Sequence, residues 1–388
     1  MDIALCYESV LPSRGGAETY ITDLARRLAR DGHAVHLYAS RWDAAALPAA
    51  THFHRIDVPK GPRFLRPWRF SAACERALAG HAHDVTMGFD KTWGQDVLYP
   101  QGGLHAASAY HNLLKYPDSL SRSAAALAKW FDPAAWSFSR LESKQYLGPT
   151  RPLVVVNSRM VQRHFEEFLG VPPESIRVVH SAVDPQRFAA DDRLKRRHEE
   201  RERWDLSADH TVGLFVAMNY RLKGLAPLLN AFALVRERNA RLVVVGHPRV
   251  TRYQWLAERL GIGDRVVFLG HQADPKDCYF AADYLVHPTF YDPCSLVALE
   301  ALACGLPVIT SRFNGASELL TPPTDGVVID NPHNAPELAA AMERMLDREY
   351  LRDAGAAARQ TAARWTFEHH YRALLAVLSE AWKARCAA

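Results

Sequence analysis

The sequence predicts an α/β chain made of two doubly wound parallel-sheet domains in series, and three observations carry that expectation. Short β-branched runs alternate with amphipathic helical patterns along most of the length, the pattern of strands joined by crossover helices. At 388 residues the chain exceeds what a single hydrophobic core usually serves. A charged stretch from Asp191 to Asp205, rich in Arg and Glu and poor in aliphatic side chains, separates two sets of strands. The expected domains are 1–185 and 186–365.

The first set of strands is read at Ile3 to Tyr7, Val35 to Tyr38, Val85 to Met87, Val97 to Tyr99, Leu153 to Val156 and Ile176 to Val179. The helix after the first strand is clear, because Ala17, Ile21, Leu24, Ala25 and Leu28 recur on one face and Asp31-Gly32-His33 closes it. The second set is read at Val212 to Ala217, Leu242 to Val245, Val266 to Leu269, Tyr284 to Val286, Val308 to Thr310 and Val327 to Ile329. A last helix, at about 366–385, carries Phe367, Tyr371, Leu374, Leu375, Leu378 and Trp382 at helical spacing and is expected to pack back on the first domain. Two doubly wound sheets in series imply a cleft between them, with ligands just beyond the carboxyl ends of strands.

Composition excludes several classes. A net charge of +4, with Lys and Arg nearly balanced by Asp and Glu, does not fit a nucleic-acid binder. The start, Met1 to Tyr7, enters a strand directly without the basic and apolar regions of a signal peptide, and no apolar run approaches the roughly 20 residues of a membrane span. A cytoplasmic protein with at most peripheral membrane contact is expected. The six cysteines show no metal-ligand spacing and read as reduced, mainly buried thiols.

The strongest constellation runs from His287 to Val308, a strand end, loop, helix and next strand. Ser295 is a good N-cap, so the helix opens with N–H groups near Leu296 and Val297 that suit a diphosphate. Glu300 lies about five residues into the helix, roughly 8 Å from its start, where a ribose diol would meet it. Asp292 precedes the helix with seven residues between it and Glu300, so the two carboxylates can address the two ends of a nucleotide sugar.

This segment resembles the E-x7-E signature of the retaining glycosyltransferases of family 4, which have the GT-B fold, with Asp292 standing where that family usually has Glu. Gly15-Gly-Ala-Glu-Thr-Tyr20 resembles the family's first loop, whose glycines bring backbone N–H groups close to a phosphate or acceptor, although such a pair also fits a plain tight turn. Tyr220-Arg-Leu-Lys-Gly224 resembles the phosphate-binding basic site, with Arg221 and Lys223 as its cations and Met218 where the family commonly has Arg. Gln101-Gly-Gly-Leu-His105 places His105 where the family has its active-site histidine. Asn157-Ser158, the Val183-Asp184 turn and the Asn314-Gly315 to Glu318 loop follow the family pattern, as architecture before ligand contact.

The resemblance implies His105, Asp292 and Lys223 as catalytic residues. It implies donor contacts from Gly15, Gly16, Arg221, Lys223, Gly246, His271, Asp292, Cys294, Ser295, Leu296, Val297 and Glu300. No DxD motif is present to hold a metal, so the cations and the helix N-terminus are expected to stabilise the leaving diphosphate without a metal or other cofactor. The forms of the three motifs look closest to enzymes similar to lipopolysaccharide core glucosyltransferase I, which implies UDP-glucose as donor and a glycan or lipid-linked acceptor. Between His105 and Arg151, six basic residues interleave with Tyr110, Tyr116, Trp130, Phe131, Trp136 and Phe138. That composition fits either an anionic membrane surface or a buried helical insertion with one solvated side. Transfer of galactose, N-acetylglucosamine or mannose, a sugar-nucleotide epimerase or phosphorylase on a similar fold, and a non-catalytic sugar-nucleotide-binding module remain alternatives.

Overall fold

The computed structural model describes residues 1–12, 15–148 and 151–387. The chain divides into two compact units, one formed by Met1–Tyr110, Asp118–His180 and the C-terminal segment from Glu368, the other by His111–Pro117 and Ser181–Phe367. The strands, in chain order, are β1 (Asp2–Cys6), β2 (Ser9–Val10), β3 (Ala34–Ala39), β4 (Arg41–Trp42), β5 (His52–Arg55), β6 (Val85–Phe89), β7 (Val97–Tyr99), β8 (Leu153–Val156) and β9 (Ile176–Val178) in the first unit. The second unit holds β10 (Thr211–Ala217), β11 (Ala240–Gly246), β12 (Val266–Gly270), β13 (Tyr284–His287), β14 (Val308–Ser311) and β15 (Gly326–Ile329).

In the first unit a parallel sheet has the order β5-β3-β1-β6-β7-β8-β9, and β2 and β4 form a separate two-stranded ribbon. The helix Gly16–Arg30 buries Ile21, Leu24, Ala25 and Leu28, the face read from the spacing. It ends where Gly32 takes a φ of +81°, and the His33 N–H donates to Leu28 O at 3.0 Å. The last helix, Phe367–Ala387, belongs to this unit from Glu368 on, through Glu368 to Arg27 at 3.0 Å, His370 to the Tyr20 hydroxyl at 2.6 Å and Glu380 to Arg177 at 2.5 Å.

The second sheet is also wholly parallel, in the order β12-β11-β10-β13-β14-β15. Every residue of β10 is buried, because helices cover both faces, and each fully buried aliphatic side chain there contributes on the order of 2 kcal/mol. Gly213 in β10 leaves room for the ring of Tyr284, which a Cβ would approach to 2.7 Å. The charged stretch 191–205 forms a helix of this unit, Arg193–Arg203. Its Arg197 and Arg201 donate to the Asp283 carboxylate at 2.5 and 2.7 Å, so its polarity serves packing.

Three strands lay outside the sequence reading, the two-residue β2 and β4 and the edge strand β5. β5 runs His-Phe-His-Arg at the sheet edge, without the continuous apolar run that marks a strand buried on both faces.

Candidate functional site

Both sheets reverse strand order at an inner pair, β1 and β6 in the first, β10 and β13 in the second. Crevices for ligands form outside the carboxyl ends of strands at such switch points. In the second unit the loops leaving that pair are 218–224 and 288–295, and they are strapped together. Phe290 N–H donates to Leu222 O at 2.9 Å, and Thr289 Oγ1 lies 3.3 Å from the same carbonyl as a second donor. Gly224 has φ +82°, and a Cβ there would lie 2.1 Å from Pro288 O, so the loops meet where only glycine fits.

The Lys223 ammonium is held in this contact. It donates to Asp292 Oδ2 at 2.6 Å and to Tyr291 O at 2.9 Å. Asp292 is fixed through its backbone, its N–H donating to Phe313 O at 3.0 Å and its carbonyl accepting from Gly315 N–H at 2.8 Å. The His287 imidazole, buried at the end of β13, lies 3.4 Å from the same carboxylate. Burial alone would push the Asp292 carboxyl up, but the Lys223 ammonium and His287 outweigh it and hold the group well below the usual carboxylate range. The sequence reading gave Lys223 to phosphate and Asp292 to sugar separately; the structure makes them one ion pair.

The helix Leu296–Ala303 begins beside this pair. Ser295 occupies its N-cap position, but its hydroxyl caps nothing and is buried without a hydrogen-bond partner. Asn314 ties this loop to the next, its side-chain oxygen accepting from Ser295 N–H and, as cap of the turn Gly315–Leu319, from Ala316 N–H, both at 3.1 Å. The first turn of a helix leaves N–H groups without intrahelical partners, and the N-cap side chain takes none of them here. An uncompensated helix start beside a lysine suits a phosphate anion.

Further along that helix, Glu300 accepts a hydrogen bond of 2.6 Å from the Tyr279 hydroxyl. Burial pushes its carboxyl up, and Tyr279 and Arg187 offset part of that. Cys294 is buried and its thiol pushed up to about 12 by that burial, so it packs as a neutral group. Gly246 ends β11 with φ +130°, where a Cβ would lie 1.9 Å from Ala217 O. His271 follows β12 at the surface. Arg221 takes a different direction from Lys223. It is exposed, lies 5.1 Å from the Tyr116 ring centroid, and lines a pocket of about 360 Å³ with Lys115, Arg252, Trp255 and Phe290. Met218 is an exposed side chain.

In the first unit, the carboxyl ends of β1 and β6 open on a pocket of about 800 Å³, lined in part by Tyr7, Glu8, Asp90, Lys91, His105 and Glu142. His105 opens the helix His105–Leu114, and the carboxylate of Glu142 accepts from the N–H groups of His105 and Ala106, capping it. Burial lifts Glu142 to about 7 against those two hydrogen bonds. Burial, with Lys91 and Lys129, lowers His105, so its imidazole is neutral. Asp90, at φ +49°, accepts from Gly102 N–H at 3.1 Å, and burial raises its carboxyl. Gly15, in extended backbone, precedes Gly16 at the start of the helix Gly16–Arg30. Ser13 and Arg14 lie outside the described residues.

Sequence reasoning had not singled out Tyr279, Asp90 or Glu142. It had quoted His287 only as the start of a segment. Asn314 fell in a loop read as architecture, which is the part its capping side chain plays.

Two parallel-sheet units, one presenting a lysine and an open helix start at its switch point, define a glycosyltransferase of the GT-B class. The model for Glycosyltransferase Family 4 matches residues 14–187 and that for Glycosyl transferases group 1 matches residues 196–361. A probable transglycosylase of Burkholderia thailandensis is 30% identical over 89% of this chain and 88% of its own. The lipopolysaccharide glucosyltransferase WaaG of Escherichia coli K12 is 25% identical over 92% of both chains, and a WaaG crystal structure aligns with a TM-score of 0.74 over 93% of this chain and 95% of that one. The structure of Anabaena HepE with UDP-glucose aligns at TM-score 0.71 and 18% identity, over 97% of this chain and 99% of that one. The chain belongs to glycosyltransferase family 4.

Proposed function

We propose that the second unit binds a UDP-sugar, UDP-glucose by preference, and that the chain transfers the glucose with retention of configuration to a glycan or lipid-linked acceptor such as a lipopolysaccharide core. The observation that carries this reading is the Lys223–Asp292 pair at the open start of the helix Leu296–Ala303. Lys223 and the helix N–H groups take the diphosphate and stabilise its charge as the glycosidic bond breaks, with no metal required. Asp292 then holds a donor-sugar hydroxyl and Glu300 the ribose, the Tyr279 hydroxyl keeping that carboxylate oriented. Arg221 is assigned to the outer phosphate region, beside Lys115 and Arg252. Glucose rather than another hexose is supported by the name of the WaaG relative, and the HepE structure provides an example of this fold holding UDP-glucose.

In the first unit the pocket at His105 is assigned to the acceptor, with the neutral imidazole as hydrogen-bond partner near the reacting centre. The helices Ser119–Trp130 and Pro133–Tyr146 support peripheral membrane contact. No residue of the first is buried, and Leu120, Trp130 and Phe131 are 80%, 64% and 74% exposed beside Arg122 and Lys129. That exposure disfavours a buried insertion and suits an anionic bilayer surface. Among the described residues no helix is long and apolar enough to cross a membrane. The test is NMR of the product formed from UDP-glucose and a heptose-containing core oligosaccharide. An α-linked glucoside is expected; a β-linked product, or a new sugar nucleotide without acceptor, overturns the reading.

A further inference from the structure

At the opposite end of the first sheet from the His105 pocket, histidines gather in a way that sugar transfer does not use. Asp2 begins β1, His36 lies within β3, and His83 stands two residues before β6. These are neighbouring strands in the order β3-β1-β6. The carboxylate of Asp2 faces both imidazoles, His83 Nδ1 at 2.5 Å and His36 Nε2 at 3.2 Å, and one ligand atom from each of the three lies within 4.8 Å of the others. Zinc bound at about 2.0–2.2 Å to N and O donors sets adjacent ligand atoms roughly 3.3 Å apart, so small side-chain shifts admit an ion.

The other nitrogen of each ring is already engaged. His83 Nε2 is 2.8 Å from the Tyr38 hydroxyl, and His36 Nδ1 is 3.0 Å from His54 Nε2. Metal-binding histidines almost always have such an outer partner, which fixes the ring and its tautomer. Without an ion, the protons on His83 Nδ1 and His36 Nε2 point at Asp2. Binding moves each proton to the other nitrogen of its own ring: the Tyr38 oxygen accepts the one from His83 once its hydroxyl hydrogen turns away, and His54 Nε2 accepts the one from His36 once its own proton shifts to Nδ1. Further rings brace the group, since His52 stacks on His36 at 4.5 Å and Tyr38 on His54 at 4.2 Å. His83 is buried while Asp2 is partly exposed, which leaves one side open for entry and for a water as fourth ligand.

We propose that Asp2, His36 and His83 form a binding site for a divalent transition metal of borderline softness, zinc by preference, that ties β1, β3 and the segment entering β6 together. Two imidazoles and one carboxylate suit that class better than magnesium or calcium, which prefer oxygen throughout. The site stands at the amino ends of the strands, away from the substrate pocket of the same unit, so its role is structural.

The test uses the full chain freed of any histidine tag, loaded with zinc and desalted, with metal content, cobalt absorption spectrum and thermal midpoint measured. The wild type is expected to retain about one zinc per chain, give the visible bands of four-coordinate cobalt and melt higher with zinc than without. His36→Gln and His83→Gln should each bind at least about 100-fold more weakly, and Tyr38→Phe about 10-fold more weakly. His198→Gln, on the helix Arg193–Arg203 of the second unit, should bind as wild type. His36→Gln is the variant to rely on if loss of buried His83 unfolds the unit. Zinc binding that survives His36→Gln, or a wild type that retains no zinc, overturns the proposal.

Discussion

The two switch-point sites of this molecule are built on opposite electrostatic plans. In the second unit a part-buried carboxylate sits against its counter-ion, and Asp292 is held ionised by Lys223 and His287 against the pull of desolvation. In the first, Glu142 is buried against two backbone N–H groups, with Lys91 near but, among the described residues, no cation bonded to it, and burial wins, lifting it to about 7. A fixed, charged site of this kind suits a substrate group that always carries charge, as a diphosphate does. The first unit's pocket, where the His105 imidazole and the raised Glu142 carboxyl stand with Arg41, Arg63, Arg66 and Lys91, suits hydroxyls and proton exchange. The contrast fits the proposed assignment of the donor to the second unit and of the acceptor to the first.

The sharpest way to break that comparison is Lys223→Met, which should lower donor turnover about 1,000-fold, as loss of a charge-stabilising donor does. It also leaves the part-buried Asp292 without its ammonium and with only the His287 imidazole at 3.4 Å, a cost of at most about 3 kcal/mol. The neutral double variant Lys223→Met with Asp292→Asn should recover the thermal midpoint but not the activity. A smaller effect is expected from Glu300→Ala, a loss of about 10-fold in UDP affinity by calorimetry, from one missing hydrogen-bonded carboxylate. Unchanged affinity would remove the ribose assignment. Replacing Trp130 and Phe131 by Ser should reduce sedimentation with anionic vesicles several-fold while leaving transfer to a soluble acceptor unaffected.

The smallest effect is on pH dependence, and its sign differs between the units. Asp292 has a lowered folded-state pKa, so its contribution is present above the ordinary carboxylate range, about 4, and is lost as pH falls below it. Glu142 has a raised one, so its contribution is full below the unfolded value and is lost as pH rises through about 7. Glu142→Gln should therefore flatten the decline in first-unit stability between about pH 5 and 8. Hydrogen exchange resolved by unit would read it, and an unchanged slope would count against the raised carboxyl.

Most strands were legible because a parallel strand covered on both faces reads as a continuous apolar run, as Val243-Val244-Val245 does. The edge strand His52–Arg55 was not, having one apolar residue among four. Lys223, Asp292 and Glu300 were each legible from local motifs, since strand, loop and helix start follow one another in sequence. Their partners were not. Lys223 and Asp292 are 69 residues apart, and Tyr279 reaches Glu300 from a helix carrying no motif, so only the strand order brings them together. Ser295 shows the opposite error: its type and place spell an N-cap, yet its hydroxyl is left without a partner.

The central claim, that the second unit is a UDP-sugar site organised by Lys223, is tested most directly by nucleotide release without acceptor. UDP-, GDP- and ADP-sugars would be compared on the wild type and the Lys223→Met, Asp292→Asn double variant. The account predicts release fastest from UDP-glucose, no gain from added magnesium or manganese, and background release from a folded double variant. A preference for GDP-mannose, or release by the double variant at the wild-type rate, would contradict it.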